Sequence, residues 1–505
     1  MNRSSLLAPS LLAPALLSAG LALVVLGPGA AAALGEATVA AHALAPAAAA
    51  AAPAAAPAGS LLPLPQFKPC ATTSHPLLPA KWEAVALMQD FFLPSFLVGK
   101  FVFDESAQAF RFSLADQYGI DEDYLVTTNG KLYRLEGGEQ PTSCRYLTAR
   151  SPFTVPTRDW LASDAVCVGQ APILNRDQQW WKSKSGEGAN WYWYNTGNRL
   201  PFRSMYYADV KPTSPAPIYE YFTLNYFSTF KAVPTTNLAR LVALCQRPEV
   251  AATPTATADY ARPSVDPILK KSTYPKVNAR QQAQTQHWIP GLSPCSSTGA
   301  LPPPWPERVQ GTVFLTAVSF PPNPFPSRVF YDWSKPAQNT TLYYFPPTAE
   351  NYAQVAYLVG NTGYIAFQRQ NGSFSQCQQA LPGPPIRNWK EADHCQCRGQ
   401  LAPHTVLNPS AVPTKILWCP TDLAAKQVFW TWYSNTGTPV VFMQSNSSPT
   451  AGTGLNLADY YHWAPGSVAP PGTFDPPALC KGQPVQKVPQ ACHNCHLPLN
   501  PHPGP

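Results

Sequence analysis

Residues 191–197 read Trp-Tyr-Trp-Tyr-Asn-Thr-Gly, and residues 430–437 read Trp-Thr-Trp-Tyr-Ser-Asn-Thr-Gly, the same pattern with one inserted serine. A proline follows each copy, at Pro201 and Pro439. Two tryptophans separated by one residue lie on one face of a β-strand, and Asn-Thr-Gly tolerates the positive φ of a tight turn. The pattern therefore predicts an aromatic strand, a turn and a second strand. The rings either pack in a sheet core or line a hydrophobic pocket, and the sequence leaves both open.

Other features recur around these two stretches in the same order. Residues 101–104, Phe-Val-Phe-Asp, correspond to residues 329–332, Val-Phe-Tyr-Asp, and the hairpin signal at 129–130 corresponds to residues 361–363. The cysteines follow with similar spacing, which pairs Cys70 with Cys295, Cys144 with Cys377, Cys167 with Cys419, and Cys245 with Cys480. Repeated order and spacing indicate a tandem duplication.

Composition favours a globular chain of two or three domains. Of 505 residues, 12% are charged and 12% are aromatic, so the chain holds enough apolar material for real cores. The 59 prolines argue against long helices. The net charge of +7 is spread thinly, and the sequence has no phosphate-binding loop or dinucleotide fingerprint. A nucleic-acid partner is therefore not expected.

The chain divides into six segments by composition. An apolar stretch follows Arg3 and ends in small residues, which predicts a signal peptide; an uncleaved membrane anchor is the alternative. Secretion, or retention in the lumen of the secretory pathway, is therefore expected. The segments are a signal peptide at 1–33, an Ala/Pro-rich spacer at 34–63, a first β domain at 64–246, a linker at 247–287, a second β domain at 288–481, and a Pro/His/Cys tail at 482–505.

Cysteines and glycosylation motifs agree with a secretory route. Behind a signal peptide, the cysteines of the two units predict disulfides whose connectivity the sequence leaves open, and these are Cys70, Cys144, Cys167, Cys245, Cys295, Cys377, Cys395, Cys397, Cys419 and Cys480. Cys395 and Cys397 are extra to the repeat and predict one additional bridge. Asn-x-Ser/Thr motifs predict glycans at Asn339, Asn371 and Asn446.

The sequence shows little catalytic chemistry, and no catalytic or metal-binding residue is predicted. Asp121-Glu122-Asp123 fits either a solvated loop or, less well, calcium ligands or glycosidase acids. Residues 492–496, Cys-His-Asn-Cys-His, match the haem-attachment pattern, but a local disulfide or loose metal binding suits so short a tail better. A hydrolase would require a polar cluster that the sequence does not show. We therefore expect a protein without enzymatic activity or cofactor, with calcium left open.

The order of these motifs resembles that of the ependymin-related secreted proteins, whose fold is similar to the LolA-type bacterial lipoprotein carriers. The residues that carry the resemblance are Asp104, Cys144, Cys167, 195–201 and 222–230 in the first unit, and Asp332, Cys377, Cys419, 435–439 and Cys480 in the second. Two features depart from the family. Its members usually hold one such domain, and the second unit has the Gly/Ser-rich residues 446–454 where the first has the aromatic run 219–230.

The resemblance implies a mainly β fold with few helices, in which two tandem, strongly curved antiparallel half-barrel sheets are cross-linked by disulfides. Its implied function is non-enzymatic binding of lipid or another hydrophobic small molecule in a concave cleft, with the first unit favoured. The expected lining residues are Trp191, Trp193, Tyr206, Tyr221, Phe227, Trp430 and Trp432. The alternative function is an extracellular-matrix or cell-wall interaction glycoprotein, with contact to a cell wall or membrane surface.

Overall fold

The computed structural model describes residues 60–90, 96–116, 121–149, 155–159, 161, 164–185, 188–208, 222–251, 288–295, 305–317, 325–344, 347–360, 362–380, 395–422, 427–448 and 452–482. The predicted signal peptide, most of the spacer and linker, and almost all of the tail lie outside these residues. Tyr221 also lies outside them, as do the side chains of Tyr206, Trp430 and Asn446. Within the described residues, no helix has the length and apolar character needed to cross a membrane.

The first sheet is built entirely of antiparallel strand pairs. Its strands are β1 (Lys81–Asp90), β2 (Phe96–Asp104), β3 (Ala109–Asp116), β4 (Asp121–Thr127), β5 (Leu132–Glu136), β6 (Ser143–Thr148), β7 (Val166–Ile173), β8 (Arg176–Ser185), β9 (Gly188–Asn195), β10 (Pro201–Ala208) and β11 (Phe222–Lys231). The apolar pattern of residues 81–90 does not by itself distinguish a helix from a strand, and these residues form β1. Two short helices follow the sheet, α1 (Leu238–Cys245) and α2 (Pro248–Ala251).

The second sheet is also antiparallel throughout. Its strands are β12 (Leu292–Ser293), β13 (Arg308–Ala317), β14 (Phe325–Asp332), β15 (Ala337–Tyr343), β16 (Ala353–Val359), β17 (Thr362–Gln368), β18 (Phe374–Ala380), β19 (Gln396–Leu401), β20 (Thr414–Asp422), β21 (Gln427–Ser434), β22 (Pro439–Ser448) and β23 (Gly452–Pro465). A single 3-10 turn, Ala478–Cys480, follows it.

Both sheets have the same order of strands. The first runs β6-β5-β4-β3-β2-β1-β11-β10-β9-β8-β7, and the second, taken in the same sense, runs β18-β17-β16-β15-β14-β13-β23-β22-β21-β20-β19-β12. In each, a six-strand meander joins a five-strand meander, through β1 and β11 in the first sheet and through β13 and β23 in the second, where the short β12 pairs with β19 at the outer edge. Among the described residues, the outermost strands do not pair with each other, so neither sheet closes there. The expected fold class, mainly β with two open antiparallel sheets and few helices, is confirmed.

Five disulfides join the ten expected cysteines. They are Cys70–Cys167, Cys144–Cys245, Cys295–Cys397, Cys377–Cys480 and Cys395–Cys419. Cys70–Cys167 corresponds to Cys295–Cys397, with sequence separations of 97 and 102 residues. Cys144–Cys245 corresponds to Cys377–Cys480, with separations of 101 and 103 residues. Such cross-linking is compatible with an extracellular or secretory location.

The expected correspondence between Cys167 and Cys419 is wrong. The counterpart of Cys167 is Cys397, because each begins a Cys-x-Gly-Gln segment with a register shift before the glycine, on β7 and β19 respectively. The extra bridge therefore joins Cys395, the residue before β19, to Cys419 on the adjacent strand β20. Spacing along the sequence suggested Cys419 as the counterpart of Cys167, because the insertion before Cys419 obscured the correspondence with Cys397.

The expected loss of the aromatic run from the second unit is also wrong. In the first sheet the described residues of the aromatic run lie in β11, which pairs with β1. Its counterpart in the second sheet is the later part of β23, which pairs with β13, whereas residues 446–454 only end β22 and begin β23. This later part of β23 carries Tyr460, Tyr461 and Trp463. The aromatic segment is therefore present, but it comes after the glycines.

Candidate functional site

The predicted pocket residues divide between two faces of the sheets. Trp191, Trp193 and Trp432 lie where the two sheets pack together, and each side chain is at most 1% exposed. Trp191 stacks on Trp193 with ring centroids 5.9 Å apart, and Tyr226 lies 4.6 Å from Trp432 across the contact. Phe227 belongs to a cluster on the opposite face of the first sheet. The three tryptophans therefore occupy a packed contact between the sheets, not a surface of the first sheet alone.

We call the apolar residues of this contact the junction cluster. The first unit contributes Phe67, Val85, Leu87, Phe96, Val98, Ala171, Ile173, Trp180, Trp191, Trp193, Phe202, Met205 and Tyr226. The second unit contributes Ile289, Leu292, Phe314, Leu401, Leu407, Ile416, Trp418, Trp432, Val441, Met443 and Leu457. Burial of this much apolar surface between the sheets makes them one packed body.

A buried ion pair crosses the junction cluster. The Arg203 guanidinium on β10 donates to both carboxylate oxygens of Asp459 on β23, at 2.6 and 2.9 Å. The guanidinium also lies 4.0 Å from the Trp193 ring centroid and donates to the Tyr226 hydroxyl. Burial lowers the pKa of Arg203, but the charge of Asp459, the nearby Tyr226 hydroxyl and the hydrogen bonds to both together raise it more, so the pKa lies above its ordinary value. Arg203 is therefore charged, and both of its terminal nitrogens donate to Asp459, whereas its buried Nε has no hydrogen-bond partner among the described residues.

The far face of the first sheet, the side turned away from the second sheet, is filled by its own rings. Trp82, Phe101 and Phe110 are 0% exposed, so no water-sized space borders their side chains. Phe112 and Tyr124 continue this layer, with ring centroids 5.2 Å apart. This face, which includes Phe227, is a packed core in the structure.

The far face of the second sheet has smaller side chains at the matched positions. One row of paired residues on the first sheet consists of Ala84, Phe101, Phe112 and Tyr124, and the same row on the second sheet consists of Gly311, Val329, Thr340 and Ala356. The next row changes from Trp82, Phe103, Phe110 and Val126 to Val309, Tyr331, Gln338 and Leu358. Five large rings of the first sheet are thus replaced in the second, two of them by valine and the others by threonine, alanine and glutamine.

Part of this second far face is open. Leu342, Gln354 and Phe367 are direct neighbours across β15, β16 and β17, and Tyr344 and Ala356 flank them on the same face. Leu342 and Gln354 are 4% and 6% exposed, whereas the side chains of Tyr344, Ala356 and Phe367 are only half-buried. We call these five residues the open patch. Its floor is buried and its apolar rim is accessible.

The open patch is uncharged and contains one buried amide. The Tyr344 hydroxyl donates to Gln354 Oε1 at 3.5 Å. Gln354 Nε2 is buried and has no hydrogen-bond partner among the described residues. In the described parts of β13 to β18, the side chains of the far face include no Lys, Arg, His, Asp or Glu.

The sequence did not point to the open patch, because it favoured the most aromatic strands as the lining. Those strands are aromatic because their own rings fill their core. A usable signal was present, however: aligned strand by strand, the second unit has Thr340 and Ala356 where the first has Phe112 and Tyr124. Of these two positions only Ala356 is half-buried, whereas Thr340 is 1% exposed, so the lost ring corresponds to accessible surface at Ala356 alone.

The glycosylation motifs lie in different surroundings. The Asn339 side chain is 4% exposed, and its Nδ2 donates to the Thr473 carbonyl oxygen at 2.9 Å. Asn371 lies in the exposed turn between β17 and β18, where its Oδ1 accepts a hydrogen bond from the Ser373 hydroxyl. The surroundings of Asn371 therefore suit a glycan, whereas Asn339 would first lose its hydrogen bond.

The acidic stretch 121–123 has an internal partner. Arg111 donates to both carboxylate oxygens of Asp123, at 2.9 and 2.6 Å, and the Ser113 hydroxyl donates to one of them at 2.9 Å. Asp123 is thus a buried structural anion. Among the residues that the structure describes, no group of three or more His, Cys, Asp or Glu side chains is arranged to hold a metal ion.

Comparisons with known proteins gave only distant structural likenesses. No family model matches the chain, and no curated protein matches it. MucB in complex with MucA(peri) is 12% identical over 57% of this chain and 83% of that chain, with a TM-score of 0.18. The isotype 1 transferrin binding protein B of serogroup B Neisseria meningitidis is 8% identical over 72% and 66%, with a TM-score of 0.14. A Nostoc punctiforme protein of unknown function is 10% identical over 76% and 96%, with a TM-score of 0.13. TM-scores this low do not establish a shared fold, and no function is inferred from these proteins.

Proposed function

We propose that this protein binds lipid or another apolar small molecule without converting it, and that the open patch is the binding surface. One observation carries the proposal: at matched strand positions the first sheet fills its far face with rings, whereas the second has small side chains and leaves an apolar rim half-exposed. A ligand that covers Ala356 and Phe367 would occupy the position that Tyr124 and its neighbours occupy in the first sheet.

The energetics suit an acyl chain or a similar apolar body. Each methylene group removed from water contributes about 0.8 kcal/mol, so a long chain is held without any charged contact. Pockets for such ligands are mostly apolar with a few polar anchors, which describes Leu342, Phe367 and Gln354.

In this proposal the two units are products of a tandem duplication with different tasks. The shared strand order and the two matched disulfide pairs support duplication. The first unit stabilises the body, and Trp191, Trp193 and Trp432 hold the two sheets together. A ligand role for the other expected residues, Tyr206, Tyr221 and Trp430 among them, stays a prediction.

The test is ligand binding by the full chain and by a variant that refills the patch. Native mass spectrometry after gentle purification is expected to show a bound apolar ligand, and lipids are expected to displace a fluorescent fatty acid. Ala356→Tyr, which restores the ring of the first sheet, is expected to weaken binding at least tenfold. The control is Tyr357→Phe, one residue away on the opposite face, which is expected to bind normally.

Two outcomes would contradict the proposal. The first is the absence of any co-purified ligand together with no displacement by any lipid class. The second is unchanged binding in Ala356→Tyr with an unchanged unfolding midpoint, which would place the ligand elsewhere.

A further inference from the structure

We infer that the ligand of the open patch is an uncharged lipid with a hydrogen-bonding oxygen, such as a fatty alcohol or a monoacylglycerol. This inference rests on the proposed function and specifies its ligand class. It comes from two features of the patch, the buried amide of Gln354 and the absence of charged side chains from the described far-face positions of β13 to β18.

The Gln354 amide nitrogen is in a position to donate a hydrogen bond to a ligand. Its side chain is 6% exposed, its Oε1 accepts from the Tyr344 hydroxyl, and its Nε2 has no partner among the described residues. A buried amide N–H without an acceptor is unfavourable, so nearly all such groups in proteins are paired. A ligand oxygen over the patch would accept this hydrogen bond.

A hydroxyl group suits the amide in either orientation. The oxygen and nitrogen of a glutamine amide can exchange places without changing its shape. If they do so here, Nε2 donates to the Tyr344 hydroxyl and the vacant group becomes an acceptor. A ligand hydroxyl both donates and accepts, so it satisfies Gln354 in both cases.

The surroundings disfavour a charged headgroup. The polar side chains on this face of β15 to β18 are all neutral, namely Gln338, Thr340, Gln354, Gln376 and Gln378. A carboxylate or phosphate taken out of water requires a cation or several donors. The described far-face positions of β13 to β18 carry no cation, and Arg369 in the turn after β17 is already paired with Glu350 at 2.6 Å, so a fatty-acid anion would bind more weakly than its alcohol.

The experiment compares ligands of equal chain length on the full chain. Hexadecanol, 1-monopalmitoylglycerol and palmitate are titrated at pH 8 against a displaceable fluorescent lipid, so that the apolar contribution is nearly constant. Hexadecanol and the monoacylglycerol are expected to bind at least tenfold tighter than palmitate. Gln354→Leu, which has no hydrogen-bonding group, is expected to weaken hexadecanol binding about fivefold to tenfold. Gln376→Leu, an exposed glutamine of the same row, is the control and is expected to bind as the parent does.

The results separate this inference from the proposed function. Palmitate binding that equals or exceeds hexadecanol binding would overturn the inference while leaving apolar-ligand binding in place. Equal hexadecanol affinity in Gln354→Leu and the parent would also overturn it. Saturable binding of none of the three lipids would overturn the inference, and it would overturn the proposed function as well if no other lipid class displaced the probe and no ligand co-purified.

Discussion

The ion pair between Arg203 and Asp459 makes a quantitative prediction about the contact between the sheets. Arg203 is 0% exposed and the Asp459 side chain is 4% exposed, so neither charge reaches water. Asp459→Ala would leave the guanidinium buried without a counter-charge. Breaking a buried pair in this way destabilises a protein by about 3–5 kcal/mol. We expect a loss of this size in the free energy of unfolding.

Two further variants test the cause of that loss. Arg203→Met combined with Asp459→Leu removes both charges and leaves apolar side chains, so its stability is expected to lie close to that of the parent. The exposed pair Arg369–Glu350 is the control, because its 2.6 Å separation equals that of the buried pair while its side chains are 38% and 70% exposed. Glu350→Ala is expected to lose about 0–1 kcal/mol.

The assay is equilibrium unfolding in urea followed by tryptophan fluorescence. The parent is expected to unfold in one transition, since the junction cluster belongs to both sheets. The reasoning would be refuted if Asp459→Ala lost no more than Glu350→Ala. It would also be refuted if the double apolar variant were as unstable as Asp459→Ala, because the loss would then come from packing and not from an unpaired charge.

Three further predictions concern the surface, the acid stability and the junction. Glycopeptide mass spectrometry is expected to find a glycan on Asn371 and none on Asn339, and full occupancy of Asn339 would contradict the structure. Burial raises the pKa of Glu83, but hydrogen bonds from a threonine and a nearby lysine charge bring it below the ordinary 4.5. Glu83 therefore stabilises the fold above that pH and loses this contribution below it, so Glu83→Gln is expected to flatten the acid end of a pH–stability curve. A Cβ at Gly399 would lie 2.9 Å from the Phe96 ring across the junction. Gly399→Ala is therefore expected to lower the free energy of unfolding, measured by thermal unfolding, by about 1–3 kcal/mol. Adding Phe96→Leu is expected to restore part of this loss.

Much of the fold was predictable because it depends on local patterns. The strand–turn–strand unit at 191–202 formed as expected, since alternating aromatic residues and a tight turn act within a few residues. The ten cysteines pair within their own units, but their partners were not predictable. Connectivity depends on which strands become neighbours. Cys419 bonds to Cys395 beside the neighbouring strand and does not occupy the repeat position expected for it.

The site was less predictable than the fold. Alternation places Trp191 and Trp193 on one face, but it does not tell which face meets the other sheet. That choice placed the tryptophans in the junction cluster and Phe227 on the far face. It also left Ala356 and Phe367 half-exposed in the unit that the sequence favoured less.

The sequence by itself determined that this chain forms two disulfide-bonded antiparallel β units with similar organisation, because strand periodicity, turn residues and cysteine spacing are local properties. Only the tertiary structure decided which apolar face became core and which stayed partly open. Arg203 and Asp459 are 256 residues apart and pair only because the two sheets meet. Burial is a property of the assembled surfaces, so alternation along a strand does not tell whether its apolar face becomes core or stays accessible.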